Sequence, residues 1–277
     1  MTSASDRVKR PSSPRDLILG ASVFQKPEAL VPFLASLKRT GGNASLVLFI
    51  GPGEEDVREL VESHQGRVFS FDSSGFKEPL PVNALRYYLY QQFLAQHGDG
   101  YDRVMLTDTR DVLFQRDPFL FDFIPGLHVF QEDIRLTLLG SDFNAACLLL
   151  KFGEQELRKL GQKPVVCSGI TLGDTQSIRN YLGLMTLHLM PKIDVMGYDQ
   201  GVHNYILYNH FLPGVVFHEH NDGPVYTMGV SDPSEPRFGS NGLLCGASGT
   251  PFNAIHQYDR NPAVAEKLSF LWKAPLP

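Results

Sequence analysis

The sequence predicts an α/β protein with a single domain and a mostly parallel central sheet that is flanked by helices. Four apolar runs of strand length alternate with segments of helical spacing in the first 110 residues, and this alternation favours parallel strands joined by right-handed crossovers. The chain has 277 residues, of which 43% are hydrophobic, so it can bury one large core. Its second half has shorter apolar runs between Gly- and Pro-rich loops, which predicts an irregular C-terminal half.

The spacing of the apolar residues predicts where helices and strands lie, because buried residues recur with different periods in the two kinds of element. In the first half, strands are predicted at residues 17–24, 45–50, 68–71 and 103–107, and helices at 28–37, 54–64 and 81–97. In the second half, apolar runs of strand length lie at 147–150, 215–217 and 254–255, with helices near 153–160, 174–190 and 199–208. Residues 1–14 are polar and rich in Pro and Ser, so we expect a disordered tail before a domain at 15–277.

Composition excludes several classes of partner and site. The formal net charge is -5 and the chain has no run of Lys and Arg, so nucleic acid is excluded as the main partner. The 3 cysteines are widely spaced and form no C-x-x-C pair, which indicates neither a disulfide framework nor a zinc ribbon and fits a reducing compartment. The first apolar run is too short to span a bilayer. We therefore expect a cytoplasmic protein without a transmembrane segment, whose oligomeric state the sequence leaves open.

An acidic segment near the middle of the chain is the most informative feature. The predicted strand at 103–107 runs directly into Asp108 and Asp111, and acids at the end of a buried strand lie where open α/β sheets bind ligands and hard cations. Side chains three apart do not share a face of an extended strand, so the two carboxylates can converge only if the chain bends at Thr109 and Arg110. We expect Arg110 to pair with a neighbouring acid such as Asp117. The structural alternative is that the two acids cap a helix or shape a turn.

This segment resembles the D-x-D element of nucleotide-sugar glycosyltransferases of the GT-A fold, here expanded to Asp108-Thr109-Arg110-Asp111. The resemblance implies a single GT-A-like domain. Its Rossmann-like nucleotide-binding half would span about residues 15–120, and its acceptor and sugar-binding half about residues 121–265. It also implies that Asp111 binds a metal and that Asp108 binds the metal or the ribose of the donor.

Two later segments extend the resemblance. Cys167-Ser168-Gly169 is similar to the N-[SA]-G strand that flanks the sugar site in these enzymes, with Cys167 where Asn is common, and implies that Ser168 and Gly169 contact the donor. Asp199-Gln200 resembles the D-Q element beneath the donor sugar and implies the catalytic pair. The structural alternatives are a glycine-containing strand packed on a helix and an N-capping Asp.

A late histidine completes the implied metal site. His256 follows a short apolar strand, as does the late metal-binding His of many GT-A enzymes, although a lone His is often only structural. Carboxylate, imidazole and diphosphate ligands suit Mn²⁺, with Mg²⁺ as a substitute. Among weaker candidates, Arg86 could reach the diphosphate or the base, or could form only a salt bridge, and Asn83 and Asp72 could contact the nucleotide.

Two histidines, in His218-Glu219-His220, alternate along the chain as a pair of zinc ligands on a strand does. This pair has no third ligand nearby in sequence, so we favour a structural role or a place at the active-site rim over zinc.

The resemblance implies a metal-dependent hexosyl- or pentosyltransferase. The enzyme would move a sugar from a nucleoside-diphosphate sugar, with UDP favoured, to a hydroxyl of a glycan, a lipid-linked or a small-molecule acceptor. The segments at 167–169 and 199–200 look more like those of retaining families; if the reaction inverts, Asp199 or Asp222 becomes the general-base candidate.

Two alternatives belong to other classes. A haloacid-dehalogenase-like phosphatase also places acids after a strand, but it needs its second acid where Arg110 stands. A nucleotide-sugar-binding protein without turnover is the other alternative, and the sequence does not separate it from an enzyme.

Overall fold

The structure is a computed structural model that describes residues 9–23, 25–71, 81–190, 198–229 and 237–273 of the chain. Two predicted features fall on other residues. Phe24, the predicted end of the first strand, and Asp72, a predicted nucleotide contact, both lie outside the described ranges.

The first half of the chain alternates strands and helices as predicted, with boundaries that differ by one or two residues. In chain order the elements are β1 (Asp16–Ser22), α1 (Pro27–Arg39), β2 (Ser45–Ile50), α2 (Glu55–Ser63), β3 (Arg67–Ser70), α3 (Val82–His97) and β4 (Arg103–Thr107). Pro32 lies inside α1 but within its first two turns, where its ring displaces few helical hydrogen bonds.

The second half contains shorter elements. They are β5 (Val112–Phe114), β6 (Leu127–Gln131), α4 (Asp142–Phe152), α5 (Glu154–Leu160), β7 (Val166–Asp174), α6 (Thr175–Leu189), α7 (Tyr198–Tyr208), β8 (Val215–His218), β9 (Val225–Thr227), β10 (Arg237–Phe238), β11 (Leu244–Cys245), β12 (Ala254–His256), α8 (Pro262–Leu268) and α9 (Phe270–Lys273). The apolar run at 147–150 has the length of a strand, but in the structure it lies in the helix α4. Ser141 caps that helix, and the run is buried on one side only: Leu149 and Leu150 are 45% and 59% exposed.

The central sheet has the strand order β3-β2-β1-β4-β7-β6-β8. The strands β1 to β4 are mutually parallel, and β7 pairs antiparallel with both β4 and β6, so the sheet is mostly parallel as predicted. The chain places β2 and β3 on one side of β1 and then returns to place β4 on the other side. The strand order therefore reverses between β1 and β4, and in open α/β sheets ligands bind at the carboxyl ends of such strands.

Helices cover both faces of this sheet. On one face, β1 packs Leu17 and Leu19 into a core with residues of α3, α6 and α7; on the other face, Ile18 of the same strand packs with residues of α1 and α2. Alternate strand residues point to opposite faces, so an uninterrupted apolar strand is what a sheet covered on both sides requires.

A small second sheet joins the two halves of the chain. Its strand order is β5-β12-β9, with β12 antiparallel to β5 and parallel to β9. In this register His256 of β12 lies opposite Val112 of β5. The pairing brings a residue near the C-terminus beside the acidic segment.

Part of the predicted N-terminal tail is ordered. The Ser12 backbone N–H donates to Asp117 Oδ2 over 2.6 Å, and Ser12 is buried. Arg10 forms an ion pair with the buried Asp16 at 2.7 Å. Asp16 and Asp117 thus provide partners for this segment that its composition does not reveal.

Among the described residues, no helix combines the length and the apolar character that a membrane crossing requires.

Candidate active site

Two clefts meet at the carboxyl ends of β1 and β4. The switch-point cleft, of about 250 Å³, is lined on one side by Ala21 near the end of β1 and Gln25 after it, and on the other by residues 108–111 after β4. The wide cleft, of about 390 Å³, opens on the side of β7 and α7. Asn83, Arg86 and Asp108 line both clefts and so form the wall between them.

Most of the predicted site residues converge here. Eight of them line the wide cleft: Asn83, Arg86, Asp108, Ser168, Gly169, Asp199, Gln200 and His256. Asp111 lines the switch-point cleft.

Asp108, Asp111 and His256 form a group that could hold a metal ion. One ligand atom from each residue lies within 4.8 Å of the others. His256 Nε2 lies 3.2 Å from Asp108 Oδ2 and 3.7 Å from Asp111 Oδ1. Two carboxylates and an imidazole are the donor set that Mn²⁺ accepts, and Mg²⁺ could use the carboxylates with more retained water. The residues present therefore fit a divalent cation.

Backbone pairing brings these three side chains together. The Asp108 N–H donates to the carbonyl of Gly169 on β7 over 2.7 Å, and the Gln257 N–H donates to the carbonyl of Asp111 over 2.7 Å. Between the two acids the chain bends as predicted: Thr109 is buried and its hydroxyl donates to the Ala21 carbonyl over 3.1 Å. The bend turns both carboxylates toward His256.

Gly169 leaves the space that the His256 ring occupies. A Cβ at position 169 would lie 2.2 Å from His256 Cε1 and 2.8 Å from Asp108 Oδ2. Any larger side chain would therefore displace the imidazole or the carboxylate. The small residue is required here for the close approach of Asp108 and His256.

Arg86 connects Asp108 to Asp199 across the wide cleft. Its guanidinium donates to Asp108 Oδ1 and, over 3.0 Å, to Asp199 Oδ2. Asn83 Nδ2 donates to the other oxygen of Asp199 over 2.8 Å. The Ser168 hydroxyl lies 3.4 Å from Asp199 Oδ2. Asp199 is thus held by neighbours on two elements, α3 and β7.

Burial and charge shift the acid pKa values in different directions. Burial would raise the pKa of Asp108, but the Arg86 charge and the hydrogen bond with His256 outweigh it, and the Asp108 pKa lies below its usual range. Burial raises the pKa of Asp111, and the like charge of Asp108 adds to the shift. Burial also raises the pKa of Asp199, against the opposing charge of Arg86. Two close carboxylates repel each other, and a divalent cation would relieve that repulsion.

Gln200 uses its side chain to hold the β7 segment. Its Oε1 accepts from the Ser168 N–H over 2.9 Å, and its Nε2 donates to Asn144 Oδ1 over 3.1 Å and to the Val166 carbonyl over 2.8 Å. Both amide hydrogens are therefore engaged within the protein. This geometry favours positioning of Ser168 over direct chemistry for Gln200.

Glu132 was not found from the sequence. It follows β6, lines the wide cleft and is only 7% exposed. Its carboxylate interacts with the Cys167 thiol, and burial raises its pKa. The available signal was an apolar strand that ends in an acid, the same pattern that identified Asp108.

Arg110 forms a structural ion pair, as predicted, but Asp117 is not its partner. Arg110 pairs with Asp111 at 2.9 Å and with Asp259 at 2.5 Å, whereas Asp117 accepts from the Ser12 and Phe119 backbones. Asp259 follows β12, which pairs with β5. The partner is thus close in space but 149 residues away along the chain.

The two histidines with zinc-like alternation do not converge. His218 Nε2 lies 2.8 Å from His128 Nδ1, and its ring stacks on Phe130. The His220 ring instead packs on Tyr226. These contacts support the structural role that we favoured.

No protein family and no curated protein matches this chain. Solved structures do resemble it. The chain is similar to the galactosyltransferase LgtC in complex with donor and acceptor sugar analogues, with 17% identity and a TM-score of 0.55 over 94% of this chain and 97% of that one. An active-site mutant of LgtC matches with 15% identity and a TM-score of 0.58 over the same shares. The chain therefore has the GT-A fold, which confirms the fold implied by the acidic segment.

Proposed function

We propose that this protein is a divalent-metal-dependent glycosyltransferase. It would move a sugar from a nucleoside-diphosphate sugar to an acceptor hydroxyl, and UDP is the favoured nucleotide. One observation supports this most directly: the ligand atoms of Asp108, Asp111 and His256 lie within 4.8 Å of one another at the wall between two clefts. The choice of UDP rests on the resemblance of residues 108–111 to the D-x-D element. The likeness to LgtC, which was solved with donor and acceptor analogues, supports a transferase.

The two clefts would bind different parts of the substrates. The nucleotide would occupy the switch-point cleft beside Ala21 and Gln25, and the sugar and acceptor the wide cleft. The diphosphate would then cross the shared wall of Asn83, Arg86 and Asp108. When bound there, Mn²⁺ or Mg²⁺ supplies positive charge that stabilises the departing diphosphate.

The chain's own residues orient this arrangement. Arg86 holds Asp108 on the metal side and Asp199 on the sugar side, and its buried charge adds to the stabilisation of the diphosphate. Asp199, with Ser168 and Gly169 beside it, would contact the sugar hydroxyls. Because Arg86 and Asn83 already engage both oxygens of Asp199, a close ion pair fits the geometry better than a covalent intermediate.

Retention of configuration is the proposed stereochemical course, on the resemblance of the segments at 167–169 and 199–200. Of the two base candidates for inversion, Asp222 lines a different cleft together with Arg116, whereas Asp199 lines the wide cleft. An inverting reaction would therefore depend on Asp199. Proton NMR of the anomeric centre of the product separates the two courses.

The test of this function is release of UDP from a panel of UDP-sugars with Mn²⁺ or with EDTA. We expect Mn²⁺-dependent release that Asp111→Ala abolishes, while the matched carboxylate variant Asp222→Asn keeps the wild-type rate. Binding of a nucleotide sugar without release of UDP or transfer from any donor would favour the non-catalytic alternative. Failure of every nucleotide sugar to bind would contradict the proposal.

A further inference from the structure

We propose that Cys167 and Glu132 are positioning residues that hold the His256 ring with Nε2 toward Asp108 and Asp111. This inference rests on the proposed function, because it assumes that His256 binds the metal. It assigns a role to a thiol at the position where the resembling segment commonly has Asn, and to an acid that the mechanism above does not use.

The two nitrogens of the His256 ring face different partners. Nε2 faces the carboxylates, at 3.2 Å from Asp108 Oδ2, whereas Nδ1 lies 3.4 Å from the Cys167 sulfur. A 180° flip of the ring would place carbon atoms at both positions, and carbon cannot replace either contact. The thiol therefore distinguishes the ring orientation that offers a nitrogen to the metal from the one that does not.

Cys167 lies at the start of β7, beside the end of β6. The Glu132 N–H donates to the Val165 carbonyl over 2.9 Å, which fixes the end of β6 beside the start of β7. The Glu132 carboxylate interacts with the thiol, and neither residue is more than 7% exposed. The sulfur lone pairs of Cys167 accept the Nδ1–H of His256 when that nitrogen carries the proton. The Nε2 lone pair is then free to face the metal group.

The position of the sulfur argues against direct ligation by Cys167. The sulfur lies on the Nδ1 side of the ring, opposite the nitrogen that faces Asp108 and Asp111. A metal bound by those carboxylates and Nε2 would meet the imidazole before the thiol. The thiol therefore acts through His256.

The test is Mn²⁺ binding, followed by the electron paramagnetic resonance of the free ion, with and without UDP. We expect Cys167→Ala to weaken Mn²⁺ binding by about 10–100-fold, the usual effect of losing a partner that orients a metal-binding His. Cys167→Ser, which keeps a donor and an acceptor, should lose less, and Glu132→Gln should weaken binding in the same direction as Cys167→Ala. The matched control is Cys245→Ser, whose thiol contacts the Leu243 carbonyl at a distant hairpin and should not affect binding.

The combined variants test whether the two residues act on the same ring. If they do, Glu132→Gln and Cys167→Ala together should weaken binding by less than the product of their separate effects. A Cys167→Ala protein with wild-type Mn²⁺ affinity would overturn the inference. His256→Ala separates this failure from that of the proposed function. If His256→Ala loses Mn²⁺ and Cys167→Ala does not, only the positioning role is wrong; if His256→Ala binds normally, the metal site itself is wrong.

Discussion

Arg86 Nη2 lies 3.0 Å from Asp199 Oδ2, and the two side chains are only 10% and 5% exposed. This ion pair links α3 to the start of α7, and the same guanidinium also holds Asp108 after β4. A single buried cation thus balances two acids, Asp108 in the wall between the clefts and Asp199 in the wide cleft. Stability and function should therefore be coupled at this residue.

Replacement of Arg86 should destabilise the protein as well as inactivate it. Arg86→Ala leaves the buried Asp199 and the partly buried Asp108 without their cation, and breaking a buried pair typically costs about 3–5 kcal/mol. Urea denaturation measures the loss. The control Arg158→Ala removes an exposed i,i+4 pair with Glu154 and should cost only about 0.3–0.5 kcal/mol. Equal losses in the two variants would contradict the role given to Arg86.

Asp111 should be more important for metal binding than Asp259, the other acid that pairs with Arg110. Asp111→Asn removes a charged ligand, so Mn²⁺ affinity should fall by more than the roughly 10–100-fold that loss of an outer partner produces. Asp259→Asn only releases Arg110, which is 47% exposed, and should leave Mn²⁺ affinity near that of the wild type. Isothermal titration of both variants with Mn²⁺ and UDP checks this. The reverse order of effects would remove Asp111 from the metal site.

A methyl group at position 169 should disturb the metal site by steric contact alone. The added Cβ of Gly169→Ala would lie 2.2 Å from His256 Cε1, so the ring must move. We expect a loss of about 1–3 kcal/mol in urea denaturation, as for other overpacked sites, together with weaker Mn²⁺ binding. Gly100→Ala is the control, because its Cβ would meet no atom within 4 Å. Normal Mn²⁺ binding by Gly169→Ala would show that the ring is not confined as described.

Two buried histidines should make the fold sensitive to acid. Burial, with the charge of Arg86 for His203 and of His128 for His218, lowers both pKa values from 6.5 to about 3. Between these values the unfolded chain binds protons that the folded chain does not, so stability rises with pH across this window and is lost as pH falls from about 6.5 toward 3. Each residue contributes up to about 1.4 kcal/mol per pH unit.

Urea denaturation at a series of pH values measures this slope. His203→Gln and His218→Gln should each reduce it, whatever they do to the stability at neutral pH. A slope that neither substitution changes would show that other groups cause the acid sensitivity.

The fold was predictable because its signals are local. Each strand from β1 to β4 is an apolar run, and each is separated from the next by a helix with an apolar face, so the parallel half follows from periodicity alone. The run at 147–150 was misinterpreted because a short apolar run has no period. The helix there depends on the cap of Ser141 and on the flanking residues.

The candidate site was only partly predictable. Acids that follow a strand identified Asp108 and Asp111, and the resemblance supplied His256 and Asp199. The contacts of Arg110 with Asp259 and of Cys167 with His256 could not be read from spacing, because they pair side chains that lie 149 and 89 residues apart along the chain. Such pairings arise from the whole sheet and leave no local pattern.

The most direct test of the central claim is anomalous diffraction at the manganese edge from crystals grown with Mn²⁺ and UDP. The account predicts one strong peak between Asp108, Asp111 and His256, with the diphosphate beside it and the nucleoside in the switch-point cleft. A peak at another position, or bound UDP without a peak between these three side chains, would contradict it.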